Sequence, residues 1–148
     1  MAGFITNPKL IDELRGIYQK NDGLLTPEAI VDAARDKKTE LHSHFEWDDS
    51  KAAEQYRLEQ ARGILQVTVE YLRDSKGKKV PCRVFVSLTS DRKGGGYRST
   101  VDVMNDKDYK AQLLKDALDD LETFKRKYFE LKELAVIFEA MRKVKKAA

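Results

Sequence analysis

The chain has a single cysteine, Cys82, which excludes an intrachain disulfide and a cysteine-based metal cluster together. It also lacks any apolar run near the roughly 20 residues that a membrane-spanning helix needs, and the long apolar segment of a secretion signal. A cytoplasmic protein with no membrane partner is therefore expected. Charge of one sign is not in excess: 28 Lys and Arg against 25 Asp and Glu leave +3, too little to identify a nucleic-acid partner by composition. The sequence has no GxGxxG order, no Lys-Ser/Thr ending of a phosphate loop, no HExxH and no EF-hand spacing. Neither His42 nor His44 has an identifiable serine or cysteine nucleophile, so acyl-transfer chemistry has no positive signal. No catalytic residue, cofactor or metal ligand is assigned, and a non-enzyme is favoured.

What the sequence does contain is a change of periodicity along one α+β chain of 148 residues. That length suits one compact domain, with helices over about 8–65, a β element over about 66–104 and a long helical region over about 106–146. Leu10, Ile11, Leu14, Ile17 and Tyr18 recur at helical spacing behind Pro8, predicting a helix over about 8–20. Asn21-Asp22-Gly23 reads as its stop. Thr26-Pro27-Glu28 then combines a cap with proline at the first helical position, predicting a helix over about 27–36. Leu41 and Phe45 mark a short helical turn. Asp48-Asp49-Ser50 supplies cap candidates for a helix over 51–65, with Trp47 as a staple against Ala52 and Tyr56.

After Gly63 the apolar residues alternate. Gln66 to Arg73 and Val80 to Leu88 read as strands joined by the polar turn Asp74–Lys79, and Tyr97 to Val103 as a third strand; an antiparallel meander or hairpin follows. From Asp106 to about Lys146 glycine and proline are absent, and Leu113, Leu118, Leu121, Phe124, Tyr128, Leu131, Phe138 and Met141 belong to an apolar stripe. Unbroken, those residues would form a rod of about 60 Å; two packed helices with a short break are the alternative.

Charge is distributed unevenly. Residues 1–75 carry 10 basic and 14 acidic side chains, whereas residues 76–100 carry seven basic ones against Asp91. Within that basic stretch, Asp91-Arg92-Lys93-Gly94-Gly95-Gly96-Tyr97-Arg98 is the most distinctive feature. Its glycines permit close backbone approach, Arg92, Lys93 and Arg98 can meet phosphate, and Tyr97 can stack on a base; a mobile hairpin loop is the plainer alternative. Lys76, Lys78 and Lys79 add to the same basic surplus. The candidate nucleic-acid-binding set is therefore Lys76, Lys78, Lys79, Arg92, Lys93, Tyr97 and Arg98. His42, His44, Glu46 and Asp48 would converge only on an extended segment, and Asp116, Asp119, Asp120 and Glu122 read as a solvated helix face. Cys82 reads as a small core residue.

The segments LTPEAIVDAA, LHSHFEWDDSKAAEQYRLEQAR and RVFVSLTSDRKGGGYRS resemble small accessory proteins encoded by tailed phages and prophages, over most of the chain. Where that family often has a Ser-Pro pair before Leu-His, this chain has Thr39-Glu40. The resemblance implies a phage or prophage accessory role and assigns no catalytic residue. Two functions are expected from the sequence: a non-enzymatic accessory protein binding DNA, RNA or a nucleoprotein assembly, or an adaptor joining a host or phage protein through its C-terminal helix. In either case a homo-oligomer, a dimer first, is expected through residues 113–141.

Overall fold

The computed structural model describes residues 3–49 and 53–148, and the chain divides into two compact units, residues 1–105 and 106–148. The first unit begins with α1 (Pro8–Lys20), whose N-cap Asn7 accepts a hydrogen bond from the Lys9 N–H at 3.0 Å. Asp22 and Gly23 end the connection with positive φ, as the Asn-Asp-Gly stop requires. In α2 (Pro27–Ala34), Thr26 caps the Ala29 N–H at 3.2 Å. A 3₁₀ turn at Leu41–His44 follows, and the Glu13 carboxylate of α1 accepts from the backbone N–H groups of Glu40 and Leu41 at its start. α1 and the 3₁₀ turn fall where the sequence places them, and α2 starts at the expected Pro27 but ends two residues early, at Ala34.

The next helix, α3 (Glu54–Val67), starts and ends later than expected and takes no side-chain cap at Ala53. The expected cap at Ser50 and the Ala52 contact lie outside the described residues. Trp47 packs on His42 and Phe45, with ring centroids at 5.0 and 5.6 Å, and under the Arg57 guanidinium at 5.2 Å. Its indole N–H donates to the His42 carbonyl at 2.9 Å, while Tyr56 is exposed. The staple therefore forms with the 3₁₀ turn and Arg57 instead of Tyr56.

Leu10, Leu14, Leu25, Ile30, Leu41, Leu65 and Phe85 are fully enclosed in a core shared by α1, α2, α3 and the β region. Directly from α3 the chain enters β1 (Val69–Arg73), which pairs antiparallel with β2 (Lys79–Arg83). Ile5 adds an isolated parallel bridge to Thr68. The expected strand from Val80 to Leu88 is divided at Val84, because Val84 and Phe85 are consecutive and both buried; a regular strand turns neighbours to opposite faces. A bend lets both enter the core, with the Val84 N–H donating to the Thr68 carbonyl. The continuation, β3 (Phe85–Val86), pairs with β4 (Arg98–Ser99) in a separate two-stranded sheet. Tyr97 bridges Leu25, and Thr100–Asn105 is helix α4. Of the expected meander or hairpin, the antiparallel hairpin β1–β2 forms, a second short antiparallel pair, β3–β4, lies in a separate sheet, and the third strand is short.

In the second unit, Asp106 caps α5 (Lys107–Tyr128) by accepting from the Asp108 and Tyr109 N–H groups. The chain leaves the helix at Phe129–Leu131, makes a 3₁₀ turn at Lys132–Leu134 and continues as α6 (Ala135–Ala147). Phe124 meets Phe138 at 6.4 Å between ring centroids, and Lys145 reaches Glu122 at 3.9 Å. These pairs define an antiparallel hairpin. Folding back buries Phe138 and Met141, which an unbroken rod would leave in water; that gain outweighs the helical hydrogen bonds lost at the turn. Asp116, expected on a solvated face, is buried; Asp119 and Asp120 are exposed.

Candidate nucleic-acid interface

The seven candidate residues separate into two groups. Around the triple glycine, residues Thr89–Gly94 form a 3₁₀ helix that ends at Gly95 with φ +70°. A β-carbon on Gly96 would lie 2.5 Å from Leu24 Cδ1. Gly95 is therefore used by the turn and Gly96 by close packing. Tyr97 is buried in the core, and its N–H and carbonyl each pair with Leu25 at 2.7 Å, so its ring is not presented for stacking. Arg98 donates from Nε and Nη2 to the two oxygens of Asp91 at 2.7 and 2.9 Å, and from Nη1 to the Gly23 carbonyl at 3.3 Å. In this geometry Arg98 fastens the loop, its guanidinium bonds directed at Asp91 and Gly23. Arg92 and Lys93 are exposed.

The other group lies on the β1–β2 ribbon. Its register pairs Val69 with Arg83, Tyr71 with Pro81 and Arg73 with Lys79, and residues directly opposite in an antiparallel pair share a face. Tyr71, Arg73, Lys79, Pro81 and Arg83 consequently form one face, and all are exposed. Proline fits opposite Tyr71 because that is a non-hydrogen-bonded pair, where the missing N–H breaks no ladder bond. Glu70, Leu72, Val80 and Cys82 occupy the other face, and Cys82 is half-buried.

The turn at the tip is built by Asp74. Its carboxylate accepts from the Lys76 and Lys78 N–H groups, both at 2.9 Å, while Gly77 takes φ +76°. This is a three-residue hairpin loop with glycine in the left-handed position, and it leaves Lys76 and Lys78 exposed. The Arg73 guanidinium donates to the Gly77 carbonyl at 2.8 Å, which holds its base against the turn.

The ribbon thus gathers five cations, Arg73, Lys76, Lys78, Lys79 and Arg83, against Glu70 and Asp74. Both acids are already occupied: Glu70 is paired with Arg15 at 2.9 Å, and Asp74 is spent on the turn. Among the described residues no carboxylate lies in ion-pair contact with any of the five cations. A cleft of about 420 Å³ opens beside the ribbon, lined by Pro8, Ile11, Asp12, Arg15 and Tyr71 among others.

Tyr71, Arg73 and Arg83 were absent from the candidate set read from the sequence. The signal was present: Tyr71 and Arg73 are two apart, and Asp74-Ser75-Lys76-Gly77 fixes the loop that brings Lys79 opposite Arg73. The histidine cluster does not converge, since His42 stacks on Trp47 and its Nδ1 donates to the Ala34 carbonyl at 2.8 Å. Among the described residues no three His, Cys, Asp or Glu side chains are grouped to hold a metal ion, and no helix is long and apolar enough to cross a membrane. Compared with protein-family models, curated proteins and solved structures, the chain matches none.

Proposed function

We propose that this chain is a non-enzymatic nucleic-acid-binding protein that grips a single strand with the exposed face and tip of its β1–β2 ribbon. The observation that carries the proposal is the exposed Tyr71 ring set among Arg73, Lys79 and Arg83, with the ribbon's own carboxylates engaged elsewhere. Phosphates take the cations and release counterions, while an unpaired base stacks on the tyrosine. The cleft lined by Tyr71 gives a splayed base room beside the ring. The accessory role in a phage or prophage that the sequence resemblance implies belongs to the same proposal.

The test is an anisotropy titration of labelled single-stranded DNA, single-stranded RNA and duplex DNA with the full chain. The parent should bind single strands more tightly than duplex at equal salt. Tyr71→Ala should weaken single-strand binding about 5- to 150-fold, the equivalent of roughly 1–3 kcal/mol per stacked base. Absence of binding by the parent would overturn the proposal, and an unchanged affinity for Tyr71→Ala would remove the stacking role.

A further inference from the structure

The cleft beside the ribbon holds a carboxylate that neither the fold nor phosphate binding uses. The cleft is lined from α1 by Pro8, Ile11, Asp12 and Arg15 and from β1 by residues 69–72, with no residue of β2, so it opens along the edge of β1 that β2 leaves free. Ile5 covers the start of that edge, its N–H donating to the Val67 carbonyl and its carbonyl accepting from the Val69 N–H, both at 3.0 Å. Farther along, the non-hydrogen-bonded pairing of Tyr71 with Pro81 turns the Tyr71 N–H and carbonyl away from β2 and toward the cleft. Asp12 and Arg15 are three residues apart and so share one side of α1. Arg15 donates from Nη2 to Glu70 at 2.9 Å, which neutralises that carboxylate and keeps Nη1 and Nε as further donors. Asp12 has no such partner. It is exposed, and among the described residues no hydrogen bond or ion pair engages it. Beside a surface that gathers phosphate, an uncompensated carboxylate opposes binding, and it contributes only when a ligand brings donors to it.

We infer that the cleft selects guanine: a base stacked on Tyr71 turns its Watson–Crick edge toward α1, where Asp12 accepts from N1–H and N2–H and Arg15 donates to O6. The inference rests on the ribbon's being a single-strand surface and adds which base that surface prefers. Guanine is the common base that presents two donors side by side, matched to the two oxygens of one carboxylate, with an acceptor next to them for a guanidinium. Cytosine and adenine each offer a carboxylate one amino group beside a ring-nitrogen lone pair that repels it. Thymine and uracil offer one N–H between two carbonyls. The volume of about 420 Å³ lies in the range of clefts that hold small ligands, and the unpaired Tyr71 N–H gives the same cleft a fixed donor beside the ring.

Anisotropy titrations of the full chain with labelled thymine strands, each carrying one central guanine, adenine, cytosine or inosine or left all-thymine, test the inference. The parent should bind the guanine strand about 5- to 150-fold more tightly than the adenine, cytosine and all-thymine strands, the range for one bidentate base contact. Inosine, which lacks the N2 amino group, should fall between. Asp12→Ala should abolish the preference with effects of opposite sign, weakening the guanine strand and leaving the all-thymine strand unchanged or tighter, because a repelling charge has gone. Asp12 is exposed and holds nothing in the fold, so the variant should keep the parental melting temperature, and general misfolding would weaken every strand together. A parent that binds all the strands alike would overturn the guanine inference and leave the ribbon reading standing. So would a guanine preference that survives Asp12→Ala. A parent that binds none of the strands would overturn both.

Discussion

Replacing Arg98 separates a fastening role from a ligand role, because the two predict opposite results. The Arg98 and Asp91 side chains are 20% and 8% exposed, and they share two charge-assisted hydrogen bonds at 2.7 and 2.9 Å. Such bonds are worth about 1.5–3 kcal/mol each when made alone, and a carboxylate left buried without a partner adds a desolvation cost. Residual solvent access and loop relaxation reduce the total, so Arg98→Ala should destabilise the protein by about 2–3 kcal/mol. At roughly 2–4 °C per kcal/mol for a chain of this size, the melting temperature should fall by about 4–12 °C. Urea unfolding supplies the free energy, and a cycle with Asp91→Ala supplies the coupling, expected at about 1 kcal/mol or more. Arg98→Ala with parental stability and reduced nucleic-acid affinity would refute the reasoning and return Arg98 to the binding surface.

Gly95→Ala and Gly96→Ala should each cost about 1–2 kcal/mol in urea unfolding, the first through the positive φ and the second through the approach to Leu24, whereas Gly94→Ala, with nothing near its β-carbon, should be close to neutral. The Tyr18 hydroxyl is held above the ordinary tyrosine range, first by burial and then by its hydrogen bond with Asp102. Its neutral form is therefore favoured by folding: the contribution to stability is complete below about pH 10 and is lost as pH rises through the higher folded value. The urea midpoint of the parent should fall faster than that of Tyr18→Phe above that pH; parallel profiles would contradict it.

The helical part of the first unit was legible because its boundaries are local. Pro8, Asn21-Asp22-Gly23 and Thr26-Pro27 each act within a turn of themselves, and the structure uses them there. The β region was legible as strands but not as pairings. Val84 bends to place two neighbours in one core, and that demand comes from α1 and α3 packing, which alternation does not encode. The same limit hid the function of the triple glycine. A basic, glycine-rich, tyrosine-containing loop has the composition of a phosphate site, yet Leu24, Leu25 and Asp91 claim Gly96, Tyr97 and Arg98 for the fold. The lysines of the preceding turn were found by charge alone. Tyr71 and Arg83 needed the strand register, in which a one-residue slip would have reversed every face.

The most direct measurement of the ribbon's role is the salt dependence of single-strand binding in the parent and in Lys76→Ala/Lys78→Ala/Lys79→Ala. Each phosphate neutralised on a single strand contributes about −0.7 to the slope of log K against log salt, so five cations give about −3.5 and the triple variant about −1.4. All three lysines are exposed, so the variant should retain the parental melting temperature. A slope that flattens by about 2 in a stably folded variant is the predicted result; equal slopes, or a parent that does not bind, would contradict the assignment of the ribbon as the nucleic-acid surface.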